Sequence, residues 1–192
     1  RLLVQRKVYD HVVEMVAEQV RSVQVGDPMI EGKHIGPVVN KNQFEHIQKL
    51  IEIGINEGAN LKVGGLGLPP GLNKGYYIRP TLFSDVNNDM NIAQNEVFGP
   101  VLSIIPFDTE DEAVEIANKT PYGLAAYIQS TDQERINRVS RRLRAGVINV
   151  NGFAGDYDVP FGGYKQSGNG REAGLLGFHE YLETKAITQG SF

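Results

Sequence analysis

The sequence predicts an α/β fold: an open, mostly parallel sheet flanked by helices. Between Val101 and Val150, β-rich runs alternate with amphipathic helical patterns. Parallel strands need such crossovers, because a hairpin only returns the chain antiparallel. The length of 192 residues, 41% hydrophobic and 22% charged, suits one ordinary domain with a sizeable core. No internal repeat or second domain breaks the pattern.

Leu2–Val4 reads as a short strand. From Lys7, Val8, Val12, Met15, Val16, Val20 and Val23 recur at helical spacing. Gly26-Asp27-Pro28 ends that helix, and 29–39 form a loop. Asn40 or Asn42 caps a second helix, with Phe44, Ile47, Leu50 and Ile51 on one face and Gly58 closing it. Leu61–Val63 is a strand. Gly64–Gly71 reads as a flexible surface excursion. Tyr76–Val86 is rich in β-formers, and Pro80 within it implies an edge position or a bend.

Val101–Phe107 is a strand. Thr109-Glu110-Asp111-Glu112 matches a capping box and opens a helix carrying Ala113, Val114, Ile116 and Ala117. Leu124–Ile128 is a strand. Thr131 or Asp132 caps a helix bearing Ile136, Val139 and Leu143, ended by Gly146. Val147–Val150 is a buried strand. A glycine-rich loop, a helix near 171–183 and a strand near 184–189 complete the chain.

Composition excludes several classes. Lys and Arg number 19 against 23 Asp and Glu, so no basic surface favours nucleic acid. There is no cysteine, which rules out a disulfide scaffold, a thiolate metal site and a Cys nucleophile within these residues. No run approaches the roughly 18 apolar residues of a membrane helix. Residues 1–6 are too short and too polar for a signal peptide. The chain starts without Met, already in an apolar run at Arg1-Leu2-Leu3-Val4, so a processed or truncated chain is expected.

Other apparent motifs fail. Gly163–Gly168 starts like a phosphate loop, but Asn169 stands where the lysine belongs. Gly168–Gly174 is one residue too long for a dinucleotide fingerprint. Asn118-Lys119-Thr120 reads as a helix end rather than a glycosylation site. His11, His34, His46 and His179 lack ligand-like spacing, so no metal is expected. Arg135, Arg138, Arg141, Arg142 and Arg144 form a solvated helix face.

Two segments ask for more. In Asn95-Glu96-Val97-Phe98-Gly99-Pro100, an extended backbone sends Glu96 and Phe98 to one side and Val97 to the other. A carboxylate can accept two hydrogen bonds from a vicinal diol, and a ring beside it can cover a flat heterocycle. The ordinary alternative is a solvated Glu next to a core Phe. In Pro160–Glu172, four glycines from Phe161 to Arg171 let backbone approach a ligand or another domain. Glu172 at the start of the last helix also suits the helix dipole, a purely structural role.

Together these segments resemble the carboxyl-terminal half of the aldehyde dehydrogenase superfamily, over essentially the whole chain. The resemblance runs through Asn40–Asn60, Gly64-Gly65, Tyr77–Phe83, Glu96–Val101, Tyr122–Ala126, Gly146–Asn151 and Pro160–Gly168. Glu-Val-Phe-Gly-Pro followed by Pro-Phe-Gly-Gly-Tyr-Lys-Gln-Ser-Gly is its most specific part. It implies NAD or NADP as cofactor and oxidation of an aldehyde to a carboxylic acid through a Cys thioester. It implies that Glu96 binds the nicotinamide ribose hydroxyls and Phe98 contacts the nicotinamide region. Gln43 and His46 match helix positions that reach the cofactor in some relatives, although lysine is familiar at the second. Glu172 matches a proton-relaying carboxylate, and Phe153 and Tyr157 match an aldehyde-lining loop.

The resemblance also implies that the nucleophilic Cys, the general base and the dinucleotide-binding domain lie upstream of Arg1. Residues 1–183 then form the carboxyl-terminal part of the catalytic domain, and 184–192 an oligomerisation strand. The chain alone should be inactive. Its parent should be a cytoplasmic homodimer or homotetramer, with neither membrane nor nucleic-acid partner. Two other readings stay open at this point: a stand-alone interaction domain, and a superfamily relative acting on a semialdehyde or an acyl phosphate.

Overall fold

The structure, a computed structural model, describes residues 1–152 and 156–191. It divides into two compact units, Arg1–Ile116 and Ala117–Phe192.

The first unit contains β1 (Leu2–Gln5), α1 (Tyr9–Ser22), β2 (Gln24–Val25), β3 (His34–Ile35), α2 (Lys41–Asn56), β4 (Asn60–Val63), β5 (Thr81–Ser84), α3 (Asn91–Gln94) and β6 (Val101–Phe107). Its main sheet has the order β1-β6-β5-β4. β6 runs parallel to both β1 and β5, while β4 pairs antiparallel with β5. The pleat sends successive side chains to opposite faces. Phe83 and Ile105 therefore join Ile47, Leu50 and Ile51 of α2 and Ile92 of α3 in one core cluster. Leu82 and Ile104 join Val4 and α1's Tyr9, Val13 and Ala17 in the other. The unit is thus a sheet covered by α1 on one face and α2 on the other.

Some expectations change here. Pro80 does not mark an edge: β5 lies between β6 and β4, and all four of its residues are buried. Pro80 stands one place ahead of the strand, where the ladder needs no N–H. The first donor is Thr81, whose N–H reaches Pro100 O at 2.8 Å. On α1 the stripe facing the sheet is Tyr9-Val13-Ala17, flanked by the partly buried Val12, Val16 and Val20. Met15, Val8 and Val23 are exposed. The excursion at 64–71 is tied down: Gly65 N–H donates to Thr81 Oγ1 (3.1 Å), Gly67 N–H to Gln48 Oε1 (2.7 Å), and Arg79 Nε to Leu68 O (2.7 Å).

α4 (Glu110–Asn118) spans the boundary between the units. Its capping box forms with one variation. Thr109 Oγ1 accepts from Glu112 N–H at 3.2 Å, but the Glu112 carboxylate reaches back to Asp108 N–H at 2.7 Å.

The second unit holds β7 (Ala125–Ile128), α5 (Gln133–Arg142), β8 (Val147–Val150) and α6 (Gly174–His179). β7 and β8 are parallel with α5 as their crossover. Asp132 caps α5, accepting from Arg135 N–H at 3.0 Å. β8 is half-buried rather than buried: Val147 and Ile148 are partly covered, Asn149 is buried and Val150 exposed. The helix expected over 171–183 shrinks to six residues. Glu172 is held in an antiparallel bridge with Phe161, and Ala173 and Gly174 both turn through positive φ, 60° and 58°, so right-handed helical backbone follows only after them. The strand expected over 184–189 does not form, because a strand needs a ladder partner and none pairs with it among the described residues.

Among the described residues no helix is long and apolar enough to cross a membrane. Nor, among them, does a group of three or more His, Asp or Glu gather to hold a metal ion.

Candidate cofactor-facing loop and glycine-rich loop

The first candidate site begins with the cap of α2. Asn40 Oδ1 accepts the backbone N–H of Gln43 at 2.9 Å, which fixes the first turn. From that turn the Gln43 side chain reaches the loop at 95–100. Its Nε2 donates to Val97 O at 3.0 Å and to Phe98 O at 3.1 Å. Val97 is buried and packs into the α2–α3 cluster. Glu96 is exposed, and Phe98 is 76% exposed. Burial therefore alternates over Glu96, Val97 and Phe98 as the sequence suggested, but the extended backbone that reading assumed does not hold at Phe98.

The backbone is less regular than a strand. Phe98 has φ 52°, a left-handed conformation rare for a bulky residue and costing on the order of 1–3 kcal/mol unless the surroundings hold it. Three contacts hold it: the Gln43 amide, the Thr81 N–H on Pro100 O, and Gly99 against Ile47. The result is a fixed loop presenting a carboxylate and an uncovered ring. His46 lies one turn after Gln43 and is exposed. Gln43 itself spends its amide on the loop backbone, a role the sequence did not suggest.

The second unit carries the remaining predicted residues. Glu172 is exposed; its N–H and C=O exchange 2.7 Å bonds with Phe161. It precedes α6 rather than opening it, so the helix dipole gives no account of its carboxylate. Tyr157 is 92% exposed, and its carbonyl accepts the Gly174 N–H at 3.0 Å. Phe153 lies outside the described residues.

Carbonyls rather than N–H groups converge inside the glycine-rich loop. Arg171 Nη1 donates to Gly163 O (3.0 Å), Asn169 O (2.9 Å) and Gly170 O (2.9 Å), and the guanidinium lies 5.7 Å from the Tyr164 ring centre. Lys165 Nζ donates to Asn118 O (2.7 Å) and Thr120 O (3.1 Å). That arrangement suits a braced scaffold, not a phosphate cradle, which needs N–H groups pointing inward. The signal for these two cations was present in the sequence: glycines leave carbonyls unshielded, and carbonyls away from water need donors.

A polar pocket lined by Tyr9, Asp10, Glu14, Lys62, Ser84 and Asp85 lies elsewhere in the first unit. The Tyr9 hydroxyl accepts Asp85 N–H at 2.6 Å and donates to Ile104 O at 3.4 Å. Burial is the main cause that raises its pKa above the ordinary 10.0. None of the residues singled out in the sequence lines this pocket.

Known proteins resemble this chain over nearly its whole length. An aldehyde dehydrogenase structure from Bartonella henselae matches with TM-score 0.93 at 50% identity, over 96% of this chain and 39% of that one. A mutant of aldehyde dehydrogenase C from Pseudomonas syringae, in complex with NAD+ and octanal, matches with TM-score 0.93 at 49% identity, over 96% of this chain and 38% of that one. A Staphylococcus aureus (strain MSSA476) protein described as an aldehyde dehydrogenase is 48% identical over 97% of this chain; the chain spans 39% of its length. The profile of the Aldehyde dehydrogenase family matches residues 1–187, and the chain belongs to that family.

Proposed function

We propose that this chain is part of an NAD(P)-dependent aldehyde dehydrogenase that oxidises an aldehyde to a carboxylic acid. The observation that carries the reading is the Glu96–Phe98 pair, uncovered on a loop fixed from α2 and β5. A 76% exposed phenylalanine held at an unfavourable φ makes sense where a flat ring is to lie against it. Glu96 beside it has the acceptor pair for two ribose hydroxyls. The Pseudomonas syringae relative with NAD+ and octanal supports both the cofactor and the substrate class. A Mycobacterium tuberculosis relative, 45% identical with TM-score 0.89 over 93% of this chain and 37% of that one, is complexed with NAD+.

When bound, the cofactor supplies the hydride acceptor. The chain's own residues orient it: Glu96 holds the nicotinamide ribose, Phe98 the nicotinamide region, and His46 stands one turn from Gln43. Glu172 relays a proton toward the general base, and Tyr157 and Phe153 line the aldehyde pocket. The nucleophilic thiolate comes from outside these residues, since the chain has no cysteine. The parent is a cytoplasmic homodimer or homotetramer in which residues 184–189 pair with a neighbouring subunit's sheet.

The purified chain, mixed with NAD+ and an aldehyde, should produce no NADH absorbance at 340 nm above the uncatalysed background. In the parent protein, Glu96→Gln should weaken NAD+ binding and slow hydride transfer, together by roughly 1–3 kcal/mol for a lost charged hydrogen bond. Unchanged turnover and cofactor affinity would overturn the role of Glu96.

A further inference from the structure

We infer that Gln43 is a positioning residue: its amide N–H groups lock the 95–100 loop so that Glu96 and Phe98 are presented before any cofactor arrives. This rests on the cofactor reading above and goes beyond the expectation that Gln43 itself touches the cofactor.

The geometry separates the two roles. Two consecutive carbonyls of this loop, those of Val97 and Phe98, sit within 3.1 Å of the same Gln43 nitrogen. Val97 and Phe98 bracket the point where the chain leaves the core and turns to φ 52°. One donor shared between consecutive carbonyls fixes the direction of the peptide between them. A side chain there then projects outward because its backbone cannot rotate.

A second contact acts in the same sense. A Cβ built at Gly99 would meet Ile47 Cδ1 at 2.5 Å, so the loop lies flush on α2 one turn beyond Gln43. The chain of support is continuous. Asn40 caps the turn, the turn places Gln43, and Gln43 sets the loop. A preordered loop gives up less conformational entropy on binding, and this raises affinity without a new ligand contact.

The test uses the parent protein with Gln43→Glu, Gln43→Met and Gly99→Ala. Glutamate keeps an oxygen able to accept from a ribose hydroxyl but cannot donate to two carbonyls, and it repels them. If Gln43 positions the loop, Gln43→Glu and Gln43→Met each weaken NAD+ binding by about five- to tenfold in calorimetry, the scale of one lost hydrogen bond. Each also speeds amide hydrogen exchange in the peptide covering 95–101 by a similar factor. Gly99→Ala, which displaces the loop without touching Gln43, does the same.

Gln43→Glu binding NAD+ as the unmodified protein does, while Gln43→Met binds weakly, overturns the inference and makes Gln43 a direct ligand. Unchanged exchange at 95–101 in both Gln43 variants overturns it as well. Should the unmodified parent fail to bind NAD+, the functional reading falls, yet the exchange measurement still decides whether Gln43 orders the loop.

Discussion

At the scale of single residues, the molecule places polar side chains where backbone would otherwise go unpaired. Tyr9 is the clearest case. Its hydroxyl satisfies the N–H of Asp85, itself at φ 55°. Tyr9→Phe should cost about 1–3 kcal/mol in urea unfolding, because the Asp85 amide loses its acceptor. The same group gives a pH dependence. Its folded pKa lies above the ordinary 10.0, so the neutral form is favoured in the folded state. That contribution is complete below pH 10 and is lost as pH rises through the raised value. The unmodified chain should therefore lose stability at alkaline pH more steeply than Tyr9→Phe. The alternating burial of Glu96, Val97 and Phe98 was legible in the sequence as a period of two, whereas the left-handed turn at Phe98 was not. The partners of Gln43 were not, since they lie 54 and 55 residues away and depend on how α2 meets the loop.

At the scale of elements, the caps were readable and the neighbours were not. Asn40, Thr109 and Asp132 each cap the helix that follows, as local hydrogen-bonding chemistry requires. Asn40→Ala should lower stability by about 1 kcal/mol, measured by urea unfolding, and loosen the first turn of α2. The place of β5 was hidden by Pro80, since a proline just before a strand and one on an edge strand look alike in sequence. The length of α6 was hidden by the Phe161–Glu172 bridge, which joins two segments that read separately as loop and helix. Asn118 shows a similar long reach. It ends α4, accepts Arg144 N–H at 2.8 Å and donates to Arg142 O at 2.9 Å, so it also closes α5. Packing of the start of β8 is equally strict. A Cβ at Gly146 would run into the carbonyl oxygen of Gly162, a backbone atom with little room to move. Gly146→Ala should therefore destabilise by roughly 1–3 kcal/mol or more, read from the urea midpoint.

At the scale of the whole molecule, much apolar surface is left open. Leu175, Phe178, Tyr181, Leu182 and Ile187 are between 50% and 89% exposed, close together near the carboxyl end. Singly exposed apolar residues are ordinary, but a run of them is not. The isolated chain should bind anilinonaphthalene sulfonate strongly, and replacing Leu175, Phe178 and Tyr181 with Ser should cut that fluorescence severalfold. A dye signal unchanged by the triple replacement would locate the open surface elsewhere. The α/β class was legible from strand–helix alternation. The division into two units was not, because its boundary falls within α4, where no glycine or proline marks it.

The register of β1 has a kinetic consequence. Leu2 pairs with Ile104, so the edge of the main sheet closes a loop of roughly a hundred residues. During synthesis at about 5–20 residues per second, β1 waits several seconds for β6 to emerge. Through that interval its apolar run, Leu2-Leu3-Val4, lacks its β6 ladder. Folding of this sheet is therefore timed by its slowest contact, and chaperone dependence should follow how long the β1–β6 ladder stays unformed rather than how stable the finished sheet is.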